Sequence, residues 1–331
     1  MRAIAISAAG GPDVLQLVER DAPTPAPGEI LVAVAACGVN RADLLQRRGN
    51  YPPPAGVPVD VPGLEYAGVV DALGDGVSRW RVGDRVMGLV GGGAYAESIV
   101  THADEAVRVP EGMSLTDAAA VPEVFITAHD ALFVRLALRE GERVLVHAVA
   151  SGVGTAALQL AKAAGAFVIG TTRSADKLER ARALGLDVGV RAGERWAIDV
   201  LQATDGAGVD AIVDLVGAAY FDQNLQVLAP RGRIVVVGTT SGARTQIDLS
   251  ALMRKRATLV GTVLRARTLA EKIEATRAFE RDVMPLFASS SVRPVVDRTF
   301  ALEQAADAHR FIESNQSFGK VVLIVNGEAA R

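Results

Sequence analysis

The chain has 331 residues, half of them hydrophobic, with a formal net charge of −3. That balance argues against a nucleic-acid partner or a polybasic membrane contact, and the length suits two domains better than one core. A single cysteine, Cys37, excludes an internal disulfide framework and a four-cysteine zinc lobe. The opening MRAIAISAAG lacks the apolar core of a signal peptide, so a cytoplasmic location is expected.

Eleven of the fourteen prolines lie before residue 123, which separates that region from the rest. Short β-like runs at 1–6, 31–36, 68–72 and 85–90 are divided by turns and predict an irregular β domain, a partial barrel. At 144–157 the pattern changes. The run VLVH stops at small residues, and Gly152-Val153-Gly154-Thr155-Ala156-Ala157 leads into an amphipathic stretch ending at Lys162. This reads as strand, tight turn and helix with a G-x-G-x-x-A fingerprint. Gly152 is expected to supply a backbone conformation closed to other residues, Gly154 to admit a pyrophosphate, and Ala157 to let helix and strand pack closely. The helix start offers N–H groups and a positive dipole end to an anion. Residues 144–161 carry no formal charge, yet Ser151, His147 and the glycines fit a strand–turn–helix better than a membrane span.

Further β/α units follow. A strand at 166–172, a helix from Ser174 to Leu184 stopped by Gly185, a short segment at 187–191, a strand at 209–215, a helix at 221–228 and a strand at 233–237 predict a parallel doubly wound sheet. An apolar run at 257–263 is a strand candidate near its end. Gly217 and Gly238 lie just past two strand ends, where a cofactor can pass close to the backbone; plain turn glycines are the competing reading. From about 268 come a charged helix, a strand at 295–300, a helix near 304–314 and a strand at 320–325, pieces expected to return to the first domain. The expected domains are therefore 1–123 with 268–331, and 124–267.

The end of the second strand bears on cofactor choice. About twenty residues past Gly152 an NAD-binding protein often carries an acid for the ribose hydroxyls. This chain has Thr172, Arg173 and Ser174 there, and Lys177 soon after, a set that suits the 2′-phosphate of NADPH. Asp176 is the rival acid, read here as an early-helix carboxylate complementing the dipole.

The segments GVNRADLLQRRGNYPPP (38–54), PGLEYAGVV (62–70), VGDRVMGLVGGGAYAE (82–97), HAVASGVGTAALQLAKAAGA (147–166) and GKVVL (319–323) span nearly the whole chain. They resemble the zinc-free quinone oxidoreductases of the medium-chain dehydrogenase/reductase superfamily, most of all the branch of tumour-suppressor-inducible NADPH quinone oxidoreductases. The resemblance implies an α/β protein with a GroES-like partial β-barrel domain, a Rossmann domain, a cleft between them and a homodimer joined through the Rossmann domains. It implies that Ser151, Gly152, Val153, Gly154, Thr155, Leu264 and Ser317 lie against NADPH. It also points to Ser174 and Lys177 at the 2′-phosphate, and it expects a tyrosine where Arg191 stands. Thr127 resembles a cofactor-contacting threonine, although a simple helix hydroxyl is the alternative.

Zinc-dependent relatives place a cysteine where this chain has Asn40 and a histidine where it has Leu64. An amide and an isobutyl group are not zinc ligands, and the four histidines, 102, 129, 147 and 309, lack ligand spacing. No metal is expected. None of the tyrosines 51, 66, 95 and 220 is followed by a lysine four residues on, and no G-x-S-x-G elbow occurs. Cys37 is read as a packed cysteine. The resemblance puts Asn40 and Tyr51 near the nicotinamide as catalytic residues, with Asn40 donating to a carbonyl or the carboxamide and Tyr51 donating to the oxygen that gains charge; the alternative for Tyr51, just before three prolines, is turn packing. The resulting expectation is NADPH-dependent reduction of quinones by direct hydride transfer. An enoyl or alkenal reductase and a nucleotide-binding structural or RNA-associated protein are the alternatives.

Overall fold

The computed structural model describes residues 1–327. The chain divides into two units. The first comprises Met1–Ile126, Leu264–Ala288 and the chain from Arg293 onward; the second comprises Thr127–Val263 and Ser289–Val292. The crossings thus fall after Ile126 and before Leu264, Ser289–Val292 of the expected 268–331 segment belong to the second unit, and residues 328–331 lie outside the described residues.

In the first unit β1 (Arg2–Ile6) and β2 (Leu15–Glu19) form an antiparallel ribbon. Next come β3 (Glu29–Val39), α1 (Arg41–Arg47), β4 (Glu65–Leu73), β5 (Arg85–Leu89), β6 (Ser98–His102), β7 (Ala106–Arg108), α2 (Leu115–Ala118) and α3 (Pro122–His129), within which the chain passes into the second unit. β3 is longer than its alternating stretch predicts. Its second half, Val34–Val39, is buried on both faces, so periodicity fades where the strand lies deepest.

The second unit alternates strictly: β8 (Arg143–Val146), α4 (Gly152–Ala163), β9 (Phe167–Thr172), α5 (Ala175–Arg182), β10 (Val188–Arg191), α6 (Trp196–Ala203), β11 (Val209–Asp214), α7 (Phe221–Val227), β12 (Leu228–Val236), α8 (Leu249–Lys255) and β13 (Thr258–Gly261). The six strands are parallel in the order β10-β9-β8-β11-β12-β13. The chain winds outward from β8 one way and from β11 the other, so the switch point lies between these two strands, where ligands bind such sheets. Leu145, Ile169, Trp196, Ile212, Phe221 and Ile234 form its core.

Back in the first unit are α9 (Leu269–Asp282), α10 (Met284–Ala288), β14 (Val296–Ala301), α11 (Ala305–Glu313) and β15 (Lys320–Ile324). β15 pairs antiparallel with β3 and parallel with β14, completing a sheet of order β14-β15-β3-β4-β5-β7 with β6 also on β3. Its core joins Ile30, Tyr66, Trp80 and Tyr95 to Val321 and Leu323.

Candidate active site

In the second unit the glycine turn follows β8 at the switch point. Ser151 is the N-cap of α4, and its Oγ accepts the N–H of Gly154 at 3.1 Å. The first N–H groups of a helix have no acceptor within it, so those of Gly152 and Val153 are available to an anion. The turn differs from expectation in one detail. Gly152 is the first residue of α4, and the left-handed position falls at Ala148, φ 47°. Gly154 is needed by the chain itself: a Cβ there would meet Ala148 O at 2.3 Å and Val149 Cα at 2.7 Å. Thr155 turns inward, buried, donating to Gly152 O at 2.9 Å.

Gly217 does require its residue type, with φ 88°, and a Cβ there would lie 2.9 Å from Thr239 Cα. Gly238 follows β12, its N–H donating to Asp214 O at 3.2 Å. Thr127 is buried in α3.

The register of β10 on β9 sets Arg191 beside Thr172. Both Arg173 and Arg191 are exposed, and Lys177 is in the first turn of α5. The strand ends thus bring the expected cations to one edge. Ser174 is the N-cap of α5 by position, yet its hydroxyl donates to the Asp176 carboxylate instead of capping the helix. That bond holds Asp176 below the usual carboxylate range.

The first unit holds Asn40, Tyr51, Leu264 and Ser317. Asn40 begins α1, and Asp43 fixes that start by accepting the N–H of Asn40 (2.8 Å), the N–H of Gly63 (3.2 Å) and the Tyr95 hydroxyl (3.1 Å). Burial pushes the Asp43 carboxyl up to about 6. The Asn40 amide, expected to face a ligand, is committed at both ends: Nδ2 donates to Glu65 Oε1 at 2.8 Å and Oδ1 accepts from Lys320 Nζ at 2.6 Å. Glu65 and Lys320 are themselves a buried ion pair at 2.6 Å. Asn40 therefore works as the third member of that pair. Small Gly38 permits it, since a Cβ there would meet Glu65 Oε1 at 2.2 Å.

Tyr51 is the opposite case. Its hydroxyl has no hydrogen-bond partner among the described residues, and it is partly buried. Arg265, itself buried, stacks over the ring at 4.9 Å and donates to Tyr51 O (3.0 Å), Gly91 O (2.7 Å) and Gln46 Oε1 (2.5 Å). Burial raises the Tyr51 phenol and the Arg265 charge opposes that rise. Glu123, partly buried at the start of α3, donates its N–H to Glu65 Oε2 at 2.9 Å. Burial, together with the Glu65 charge, pushes its carboxyl up to about 8.

Sequence reading missed Arg265, Glu65, Lys320 and Glu123. Lys320 and Glu65 lie inside quoted landmarks, but each reads as an ordinary surface charge until β15 and β4 flank β3. Arg265 carries no local signal at all. Cys37 is buried, which pushes its thiol up and makes it inert. Among the described residues no group of three or more His, Cys, Asp and Glu side chains is arranged to hold a metal, and no helix is long and apolar enough to cross a membrane.

Comparison with known proteins matches this geometry. The alcohol dehydrogenase GroES-like domain family matches residues 26–111, and the zinc-binding dehydrogenase family matches residues 152–281. A quinone oxidoreductase of Pseudomonas aeruginosa is 36% identical over 323 residues, covering 97% of this chain and 98% of its own. A mycobacterial protein solved as a complex with NADPH superposes with a TM-score of 0.88 at 32% identity, covering 98% of this chain and all of that one. The CurK enoyl reductase superposes with a TM-score of 0.86 at 28% identity, covering 98% of each chain. With a GroES-like β domain, a six-stranded parallel sheet and full-length relatives above 30% identity, the chain belongs to the medium-chain dehydrogenase/reductase superfamily, quinone oxidoreductases among its relatives.

Proposed function

We propose that the protein reduces quinones with NADPH by direct hydride transfer, without a metal. The observation that carries this reading is Tyr51, a phenol with a free hydroxyl held under a buried guanidinium. The quinone oxidoreductases among its full-length relatives support it.

The N–H groups of Gly152 and Val153, with the dipole of α4, suit the pyrophosphate. Arg173, Lys177 and Arg191 suit the 2′-phosphate. When bound, the reduced nicotinamide supplies the hydride. Tyr51 donates a hydrogen bond to the substrate oxygen as it gains charge, and Arg265 holds the phenol and favours negative charge beside it. A quinone that accepts a hydride becomes a stable oxyanion, which water can protonate. Asn40 and Leu64 supply no zinc ligand, and a substrate that is already electrophilic needs no Lewis acid. Asn40 acts through Glu65 and Lys320, so donation to substrate falls to Tyr51.

A second reading, reduction of a conjugated carbonyl, is favoured by Glu123 and by the enoyl reductase fold neighbours. Hydride addition to such a substrate leaves an enolate that needs a proton, and a carboxyl still protonated at neutral pH is a proton source. Purified protein with NADPH and a panel of small quinones and enones, followed at the nicotinamide absorbance, tests both readings. Oxidation with quinones supports the first, oxidation with enones alone the second, and oxidation with neither overturns both.

A further inference from the structure

His147 follows β8 directly, and its ring is wholly buried. Nδ1 lies 2.9 Å from Thr171 Oγ1 and Nε2 lies 2.6 Å from Asn224 Oδ1. Asn224 Nδ2 donates to Asp214 Oδ2 at 3.0 Å, and Asp214 Oδ1 accepts the N–H groups of Val216 (2.7 Å) and Gly217 (2.9 Å). An amide oxygen facing Nε2 requires the proton on that nitrogen, which leaves Nδ1 to accept from the threonine hydroxyl. Burial lowers the pKa of the ring, which favours this neutral form. Trp196 and Tyr220 stand edge-on to it at 4.7 and 4.9 Å.

Apolar packing would not need four buried polar side chains. A fully satisfied polar chain specifies one arrangement of the elements that it joins. These are the ends of three adjacent strands, β8, β9 and β11, with α7 contributing Asn224. The same ends carry the glycine turn, the Arg173–Lys177 edge and the Gly217 loop. Ala148, next to His147, is left-handed, a conformation that persists only where its surroundings over-determine it. Backbone bonds from His147 N to Val213 O (3.1 Å) and from Val149 N to Thr171 O (3.0 Å) flank it.

We propose that His147 is a positioning residue for the dinucleotide: through Thr171, Asn224 and Asp214 it holds the turn before α4, the end of β9 and the Gly217 loop in the arrangement that receives the cofactor, without touching it. This rests on reading the turn as a nucleotide site. Because the chain supports the glycine turn and the Gly217 loop, which serve both cofactors, as well as the end of β9, its loss should weaken NADH as well as NADPH.

The test uses the full chain, its His147→Gln variant and the milder Thr171→Val variant. Dissociation constants for NADPH and NADH, steady-state kcat and KM for the nucleotide, and thermal midpoints are measured. The expected result is a rise of about tenfold in both dissociation constants and in KM for His147→Gln, a smaller parallel rise for Thr171→Val, and unchanged kcat. A purely structural role would instead lower apparent kcat and thermal midpoint with both constants unchanged, and that outcome overturns the proposal. So does a loss confined to NADPH. A wild-type chain that binds neither nucleotide would overturn the reading of the site, and this inference with it.

Discussion

Tyr51 and Asn40 belong to one unit but differ in what they have left to offer. The amide is used up by Glu65 and Lys320, whereas the phenol has a donor and no acceptor. Tyr51→Phe removes that donor and keeps the ring under Arg265. Turnover should fall roughly 5- to 150-fold, with little change in nucleotide affinity, since a single oxyanion donor contributes up to a few kcal/mol. An unchanged rate, with hydride transfer limiting, would return Tyr51 to turn packing. At the other site, Lys177→Ala should weaken NADPH roughly 10- to 150-fold and spare NADH, because a charge-assisted bond contributes about 1.5–3 kcal/mol. Equal weakening of both cofactors would assign Lys177 to the fold, and a wild type that prefers NADH would make Asp176 the ribose ligand. Glu123 gives a pH signature. Its carboxyl titrates at about 8 in the folded chain against 4.5 for an ordinary glutamate. Between those values the folded chain keeps a proton that the unfolded chain has lost, so this group makes stability fall as pH rises through the window. Glu123→Gln should therefore be more stable than wild type at pH 9, by about 1–3 kcal/mol once partial solvent screening is allowed for, with the gap closing toward pH 4. Denaturant unfolding at several pH values measures it, and parallel curves would refute the shift.

Among the elements, α4 and β13 are the most exposed to test. α4 begins so close to the turn that precedes it, at Ala148 and Val149, that Gly154→Ala sets a methyl against backbone, which cannot yield as a side chain would. The cost should be about 1–3 kcal/mol of stability, with nucleotide binding impaired as the turn shifts; a variant with native melting and native affinity would show that the turn has slack. β13 ends the parallel sheet with one edge unpaired, and Leu259 on it, with Leu249 and Met253 of α8, exposes apolar surface; Met253 is 75% exposed. Unpaired edges and apolar patches of this kind are usually covered. We propose that a second copy of the chain covers them across a two-fold axis, pairing β13 with β13. Light scattering at micromolar concentration should give a dimer, and Leu259→Lys should give a monomer. A wild-type monomer would end that proposal.

For the molecule as a whole, the absence of zinc ligands at 40 and 64 predicts full activity after chelator treatment and no stoichiometric zinc by elemental analysis. One tightly bound zinc per chain would contradict it. The sequence determined a great deal by itself: the parallel unit, the glycine turn, the cation edge and the family were all legible. Those features are local, encoded in contiguous apolar runs, small residues at fixed spacing and turn chemistry. Most of the first unit's short elements, α1, β2, β6 and β7 among them, were not legible, because their residues make sense only against partners far along the chain. The same holds for the site. Arg265 reaches Tyr51 across more than two hundred residues of sequence, and Lys320 reaches Asn40 across still more. Only the tertiary structure turned Asn40 from a free amide into the partner of a buried ion pair, and His147 from one of four histidines without ligand spacing into the centre of a polar chain. A buried polar group is defined by which partner satisfies it, and that partner is set by the fold rather than by neighbours in sequence.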